Sequence, residues 1–165
     1  MKQSLVHRVG RMLVATTPLF LLAACASIDC STTNTVSCRY ALRGNVDTLS
    51  DTLTIITTRP DSNDCVVLNR LSNATAFTLP MSYGNDSDQL YFVLKDTLGT
   101  ERTDTVTIFK TNDPHFESID CQPRFFHTIT AVQTTHNAID SITIANSNVN
   151  FDEKENLLIY FHSRP

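Results

Sequence analysis

The chain has 165 residues, with 41% hydrophobic residues, no tryptophan, five cysteines, 13 Lys+Arg and 17 Asp+Glu. That length suits one ordinary domain with a sizeable core. Its acidic balance gains nothing from phosphates, which argues against nucleic acid as a partner. Only Gly44, Gly84 and Gly99 follow the first segment, so no glycine-rich, phosphate-cradling loop is present.

The first segment reads as an export signal. Lys2, Arg8 and Arg11 precede the apolar runs Met12–Ala15 and Leu19–Ala24, and small residues close the segment. Thr16, Thr17 and Pro18 break the apolar core, which stays short of the ~20 residues that span a bilayer. Ending in Leu22-Ala23-Ala24-Cys25, it resembles the bacterial lipobox, in which the cysteine becomes the diacylated first residue of the mature protein. The expected organisation is a lipoprotein signal peptide over 1–24, a short lipid tether over 25–29 and a single domain over 30–165, with Cys25 the lipidated (palmitate-bearing) residue. The early basic residues leave with the signal. The rest has 10 basic and 17 acidic residues, a balance near −7. Anionic headgroups repel such a domain mildly, so lipid rather than charge would hold it at the membrane. The leash from Cys25 to Cys30 reaches at most roughly 17 Å.

After the signal, Thr, Val, Ile, Phe and Tyr dominate and no sustained i, i+3, i+4 pattern appears, which suits half-buried strands. Alternating runs recur at Val36–Leu42, Leu53–Thr57, Val66–Leu68, Ala76–Met81, Leu90–Leu94, Val106–Phe109, Phe125–Val132, Ile142–Ile144 and Leu157–Phe161. Turn-rich stretches such as Arg59–Asp64 and Tyr83–Asp88 separate them. The fold class expected is all-β, an antiparallel β-sandwich, Ig-like by analogy only, built largely from hairpins. Three segments share one grammar: Asp51-Thr52-Leu53-Thr54-Ile55, Asp104-Thr105-Val106-Thr107-Ile108 and Asp140-Ser141-Ile142-Thr143-Ile144. Each follows another strand-like run, which predicts three hairpins, with the Asp capping the turn that opens each second strand. The unequal spacing of the copies argues against a solenoid.

Lipid on Cys25 leaves Cys30, Cys38, Cys65 and Cys121, an even number in an exported domain, which reads as two disulfides. Zinc is disfavoured because no close C-x₂₋₄-C pair occurs. The pairing expected is Cys30–Cys121 with Cys38–Cys65, and no free thiol.

Asp86 and Asp88 on one loop, and Asp152-Glu153-Lys154-Glu155 on another, are weak candidates for a hard cation, with no EF-hand spacing. No metal or cofactor is expected. His115, His127, His136 and His162 are scattered; His136 with Asp140 suggests a triad, yet no G-x-S-x-G or H-E-x-x-H accompanies it. The chain reads as non-enzymatic. The densest aromatic and polar cluster is Pro114–Cys121 with Arg124-Phe125-Phe126-His127, read more readily as core phenylalanines than as a ligand face.

Several stretches carry a family resemblance: the lipobox, Ser27-Ile28-Asp29-Cys30, Leu49–Ile55, Leu68-Asn69-Arg70-Leu71, Phe77–Tyr83 and His115–Cys121. With these the chain resembles an uncharacterised lipoprotein family of the Bacteroidota. The resemblance implies location and lineage rather than an activity. In that lineage exported proteins carry O-glycans at Asp-Ser/Thr-apolar motifs, which implies Thr48, Thr52, Thr97, Thr105 and Ser141 as candidates, with one or two used. It also implies the outer membrane; a single acid after the lipid cysteine, Asp29, favours the periplasmic face over the cell surface. The function expected is a lipid-anchored, non-catalytic binding or accessory module. Its partner, a protein or glycan at the outer membrane, would meet loops Gly84–Gln89 and Asn146–Asn156. The alternative is a calcium- or small-ligand-binding periplasmic lipoprotein.

Overall fold

Alternation in the sequence becomes alternation in burial. In Leu53-Thr54-Ile55 and Leu90-Tyr91-Phe92-Val93-Leu94 the Leu, Ile and Phe side chains are buried and those between them are partly exposed, the period-two signature of a strand with one wet face. The computed structural model describes residues 35–59 and 62–163. Its strands are β1 (Ser37–Arg43), β2 (Thr52–Arg59), β3 (Ser62–Leu71), β4 (Ala76–Pro80) and β5 (Ser87–Lys95), then β6 (Glu101–His115), β7 (Arg124–Thr134), β8 (Ile139–Ile144), β9 (Asn148–Val149) and β10 (Leu157–Phe161). No helix occurs among the described residues.

Two sheets result, with orders β4-β1-β10-β8 and β3-β2-β5-β6-β7-β9. Every named pairing is antiparallel except β1 with β10. The sheets pack on each other as a β-sandwich. Tyr40, Leu42, Leu79, Leu157 and Ile159 from one sheet meet Leu53, Ile55, Phe92, Val106 and Ile108 from the other. Tyr40 stacks on Phe77 at 4.9 Å, and both rings lie 6.3 Å from Phe92, so aromatic contacts bridge the two layers.

Every strand-like run read from the sequence overlaps a strand. The three-hairpin expectation needs correction. Only β5–β6 is such a hairpin; β1 and β2 lie in different sheets, as do β7 and β8. The reason is apolar residues in the connections. Leu49, Ala138 and Ile139 are each at most 1% exposed, so each linker dives through the core and emerges in the opposite sheet. Hairpins are found instead at β2–β3 and β6–β7.

The repeated aspartate also acts differently from expectation. Asp104 caps no turn of its own but holds the β7–β8 crossing some thirty residues away. Its Oδ1 accepts from Asn137 N–H (2.7 Å) and the Thr135 hydroxyl (2.7 Å), and its Oδ2 from Ala138 N–H (2.7 Å) and Ile139 N–H (2.9 Å). Burial alone would raise its carboxyl pKa, but these donors outweigh burial and hold it below the ordinary value. Asn156 does the corresponding work on β1: its Oδ1 accepts from Arg39 N–H (3.0 Å), and its Nδ2 donates to the carbonyls of Asn148 (2.8 Å) and Asn146 (3.2 Å).

Thr35 bridges Phe125 in parallel where the chain joins the sandwich. The strand directions put loops 81–86, 116–123 and 145–156 at this Thr35 end. Loops 44–51, 72–75, 96–100 and 135–138 lie at the opposite end.

The Cys38–Cys65 pairing is overturned: both are free thiols. Cys38 is buried on β1 of the four-stranded sheet, while Cys65 is half-buried on β3, the outer strand of the other. A disulfide needs Cα atoms within about 7 Å, and residues on different layers, one at a sheet edge, are not so placed. Burial pushes the Cys38 thiol pKa up to about 12, against a hydrogen bond with Tyr40. Cys121 is disulfide-bonded. Cys25, Cys30 and the signal segment lie outside the described residues.

Candidate functional site

Along β6 the inward positions read Asp104, Val106, Ile108, Lys110, all buried. The strand thus delivers an ammonium group to the Thr35 end, where loop 81–86 closes over it. Lys110 Nζ donates to the carbonyls of Ser82 (2.6 Å) and Asn85 (2.6 Å) and to Asn112 Oδ1 (3.1 Å). All three of its hydrogens are thereby satisfied. Asp88 Oδ2 stands 3.7 Å away, and Asp88 also accepts from the Ser82 hydroxyl and from Ser82 N–H (3.3 Å). Burial lowers the Lys110 pKa, and the charges of Asp88 and Asp86 resist that shift. The oxygen-lined cage of this acidic loop therefore already holds a cation, the lysine itself.

His127 extends the network. Asn112 Nδ2 donates to the Asn85 carbonyl (3.0 Å), which fixes Asn112 Oδ1 as the acceptor facing Lys110 and His127. His127 Nδ1 lies 2.7 Å from that oxygen and must carry the proton, leaving Nε2 as a buried acceptor with no hydrogen-bond partner. Burial, and then the charge of Lys110, depress the His127 pKa to about 4. The ring is neutral and its second nitrogen is sealed in, so it serves as architecture rather than as a general base.

Beside this cage a cleft of about 760 Å³ opens between the sheets. Its floor is apolar, with Tyr40, Leu79, Met81, Leu90 and Ile108, and its rim is polar, with Thr57, Thr58, Ser82, Asn85, Asp88 and Gln89. A second concavity of about 520 Å³ shares Thr35 with the first and is walled by Arg39, Arg124, Asn150, Phe151 and Glu153. Aromatic side chains cluster at the same end, and Phe151 lines the second concavity. Tyr83 stacks on Phe125 at 4.9 Å, and His115 on Phe126 at 4.4 Å. Phe151 meets Phe126 edge-on at 4.9 Å, with the Arg124 guanidinium 4.6 Å above the Phe151 ring. Of the phenylalanines expected in the core, Phe126 is half-buried and packs against it, Phe125 is half-buried and Phe116 is exposed; Phe151 is exposed as well.

The model of a family of unknown function (DUF6452) matches residues 27–161. The chain belongs to that family. No curated protein matches it, and no solved structure does. The match covers all ten strands of the sandwich, so the cleft and its Lys110 cage lie wholly within the family's domain.

Both loops expected to carry contacts lie at this end: Gly84–Gln89 rims the first cleft, and Asn150, Phe151 and Glu153 of Asn146–Asn156 wall the second. Of the weak metal candidates, Asp88 is engaged by Lys110 and Ser82, while the Asp86 side chain is exposed. Among the described residues no group of three or more His, Cys, Asp or Glu is placed to hold a metal ion. The triad suggested by His136 and Asp140 does not assemble in series. His136 Nδ1 lies 2.8 Å from the backbone carbonyl of Asp140 rather than from its carboxylate, which instead accepts from Ser141 Oγ (3.3 Å) and faces His162 Nδ1 at 3.7 Å. Of the glycosylation candidates, Thr48 and Thr97 are exposed in turns, while Thr52, Thr105 and Ser141 are half-buried in strands. Lys110 escaped the sequence reading; the signal was its inward parity, two residues beyond Ile108.

Proposed function

We propose that the chain is a lipid-anchored, non-catalytic binding module of the Bacteroidota outer membrane, on its periplasmic face, holding a protein or glycan partner in the cleft between its sheets. The observation that carries this reading is the cleft itself: an apolar floor, a rim of convergent polar groups, and a wall held rigid by the buried Lys110 network. Concave, largely apolar sites with a few fixed polar groups are where proteins bind. The perturbed groups beside the cleft, Lys110 and His127, are committed to holding loop 81–86 rather than exposed for proton transfer.

Export fits the cysteines. With Cys25 acylated, Cys38 and Cys65 free and Cys121 disulfide-bonded, Cys30 is the partner left for Cys121. Among the glycosylation candidates the exposed turn residues Thr48 and Thr97 are the ones that take sugar, since a hydroxyl within a ladder is poorly accessible to a transferase.

Photo-crosslinking in intact cells tests the reading. A crosslinker placed at Gln89 or Thr58, on the rim, should give discrete adducts, whereas one at Leu98, at the opposite end, should not. Recovery of monomer alone from both rim positions would remove the partner-binding function.

A further inference from the structure

Loop 116–123 joins β6 to β7 and forms the outermost tip of the Thr35 end. It carries two large apolar side chains turned to solvent, Phe116 at 63% and Ile119 at 97% exposure. Tyr83 and Phe151, 50% and 46% exposed, flank it. Four such residues gathered at one end of a small acidic domain form a patch of the kind that marks an interaction surface. The location of the tether indicates what covers it. The chain joins the sandwich at Thr35, against Phe125, so whatever holds the segment before Thr35 holds this end of the sandwich. Ten residue steps separate Cys25 from Thr35, at most about 34 Å of extended chain.

We propose that the 116–121 tip seats the domain in the lipid interface, with Phe116 and Ile119 entering the headgroup–acyl boundary and Tyr83 and Phe151 lying at headgroup level. This rests on lipidation of Cys25, proposed above. Aromatic rings with a polar neighbour favour that depth, and Arg124 over the Phe151 ring supplies one. The contact is apolar rather than electrostatic, because a domain near −7 is not drawn to anionic headgroups. The five Asp-Ser/Thr motifs agree with this orientation. Thr48 and Thr97 lie in loops of the opposite end, and Thr52, Thr105 and Ser141 on the strands leading from it, so sugar there would point away from the bilayer. The tip would also hold the cleft at the height of the membrane surface.

The absence of tryptophan makes the test direct. Ile119→Trp and, as a control, Leu98→Trp are each made in the lipidated mature protein and reconstituted in phosphatidylethanolamine/phosphatidylcholine vesicles containing brominated acyl chains. Leu98 is 91% exposed in the turn at the other end of β6, about 45 Å along that strand. The indole at 119 should emit at shorter wavelength and be quenched by bromine several-fold more than the indole at 98, with no change as ionic strength rises. Equal exposure of both indoles to aqueous iodide, on protein whose intact mass shows an acylated Cys25, would overturn the seating while leaving the anchor. A mature mass without acyl chains would overturn the anchor and the seating together.

Discussion

Lys110 and Asp88 form an ion pair in the wall of the sandwich, Nζ to Oδ2 3.7 Å, with the lysine side chain fully buried and the aspartate 14% exposed. Three strong hydrogen bonds to Ser82, Asn85 and Asn112 make this pair the anchor of loop 81–86, and that loop forms the rim of the cleft.

Lys110→Met is expected to destabilise the protein by roughly 3–5 kcal/mol, because it leaves Asp88 and the carbonyls of Ser82 and Asn85 without their cation. Lys110→Met combined with Asp88→Asn should recover part of that loss, since the uncompensated charge is gone. Urea titration of the two variants checks this. A single variant as stable as the parent would mean that the cage does not organise the loop.

The architecture was legible where burial follows a period of two. Leu53, Ile55, Leu90, Phe92, Val106 and Ile108 face inward as their alternation requires. Connectivity was not legible. Whether Leu49 and Ala138 sit in a surface turn or in a core crossing depends on what lies across from them, and their neighbours in sequence do not report that. The Thr35 end was half legible: loop 81–86 stood out as polar and glycine-containing, but the cage was hidden because a lysine inside a strand reads as a solvated residue. Phe116 was misplaced into the core for the opposite reason, since burial is the commoner fate of phenylalanine.

His127 gives the stability an acid dependence. Its folded-state pKa, about 4, lies below the ordinary 6.5, so the unfolded chain binds the proton more readily between those values. Stability is therefore complete above pH 6.5 and declines as pH falls toward 4. In His127→Gln that contribution to the slope is absent, and only the carboxylates remain to act at lower pH. Urea midpoints measured from pH 7 to pH 4 should fall less steeply in the variant than in the parent. Identical slopes would show that the imidazole is not buried in its neutral form.

The thiols separate by reactivity. Cys65 is half-buried on an outer strand, while Cys38 is buried with its pKa pushed up to about 12. The thiolate is the reactive species. Alkylation of the native mature protein should therefore label Cys65, and Cys38 should react only after denaturation. Mass mapping without reductant should find Cys38 and Cys65 unbridged. A Cys38–Cys65 bridge in exported protein would contradict the two-sheet placement of β1 and β3.

Asp104→Ala tests how the chain crosses between sheets. The substitution strands three backbone N–H groups, those of Asn137, Ala138 and Ile139, together with the Thr135 hydroxyl, around a carboxylate site that is 0% exposed. Each buried donor left without a partner costs about 1–3 kcal/mol, and Thr135 and Asn137, which are exposed, regain water in place of the lost bonds. The expected loss is about 2–6 kcal/mol, roughly a 10 °C fall in Tm for a domain of this size. Asp104→Asn should cost less, because its amide oxygen still accepts from one side of the crossing while its NH₂ faces the remaining donors. Amide hydrogen exchange locates the damage: protection should be lost first at Ala138 and Ile139 and kept at Phe92 and Ile108. Uniform loss across both sheets would mean that the crossing is held by Ala138 and Ile139 packing in the core, with the carboxylate a minor partner.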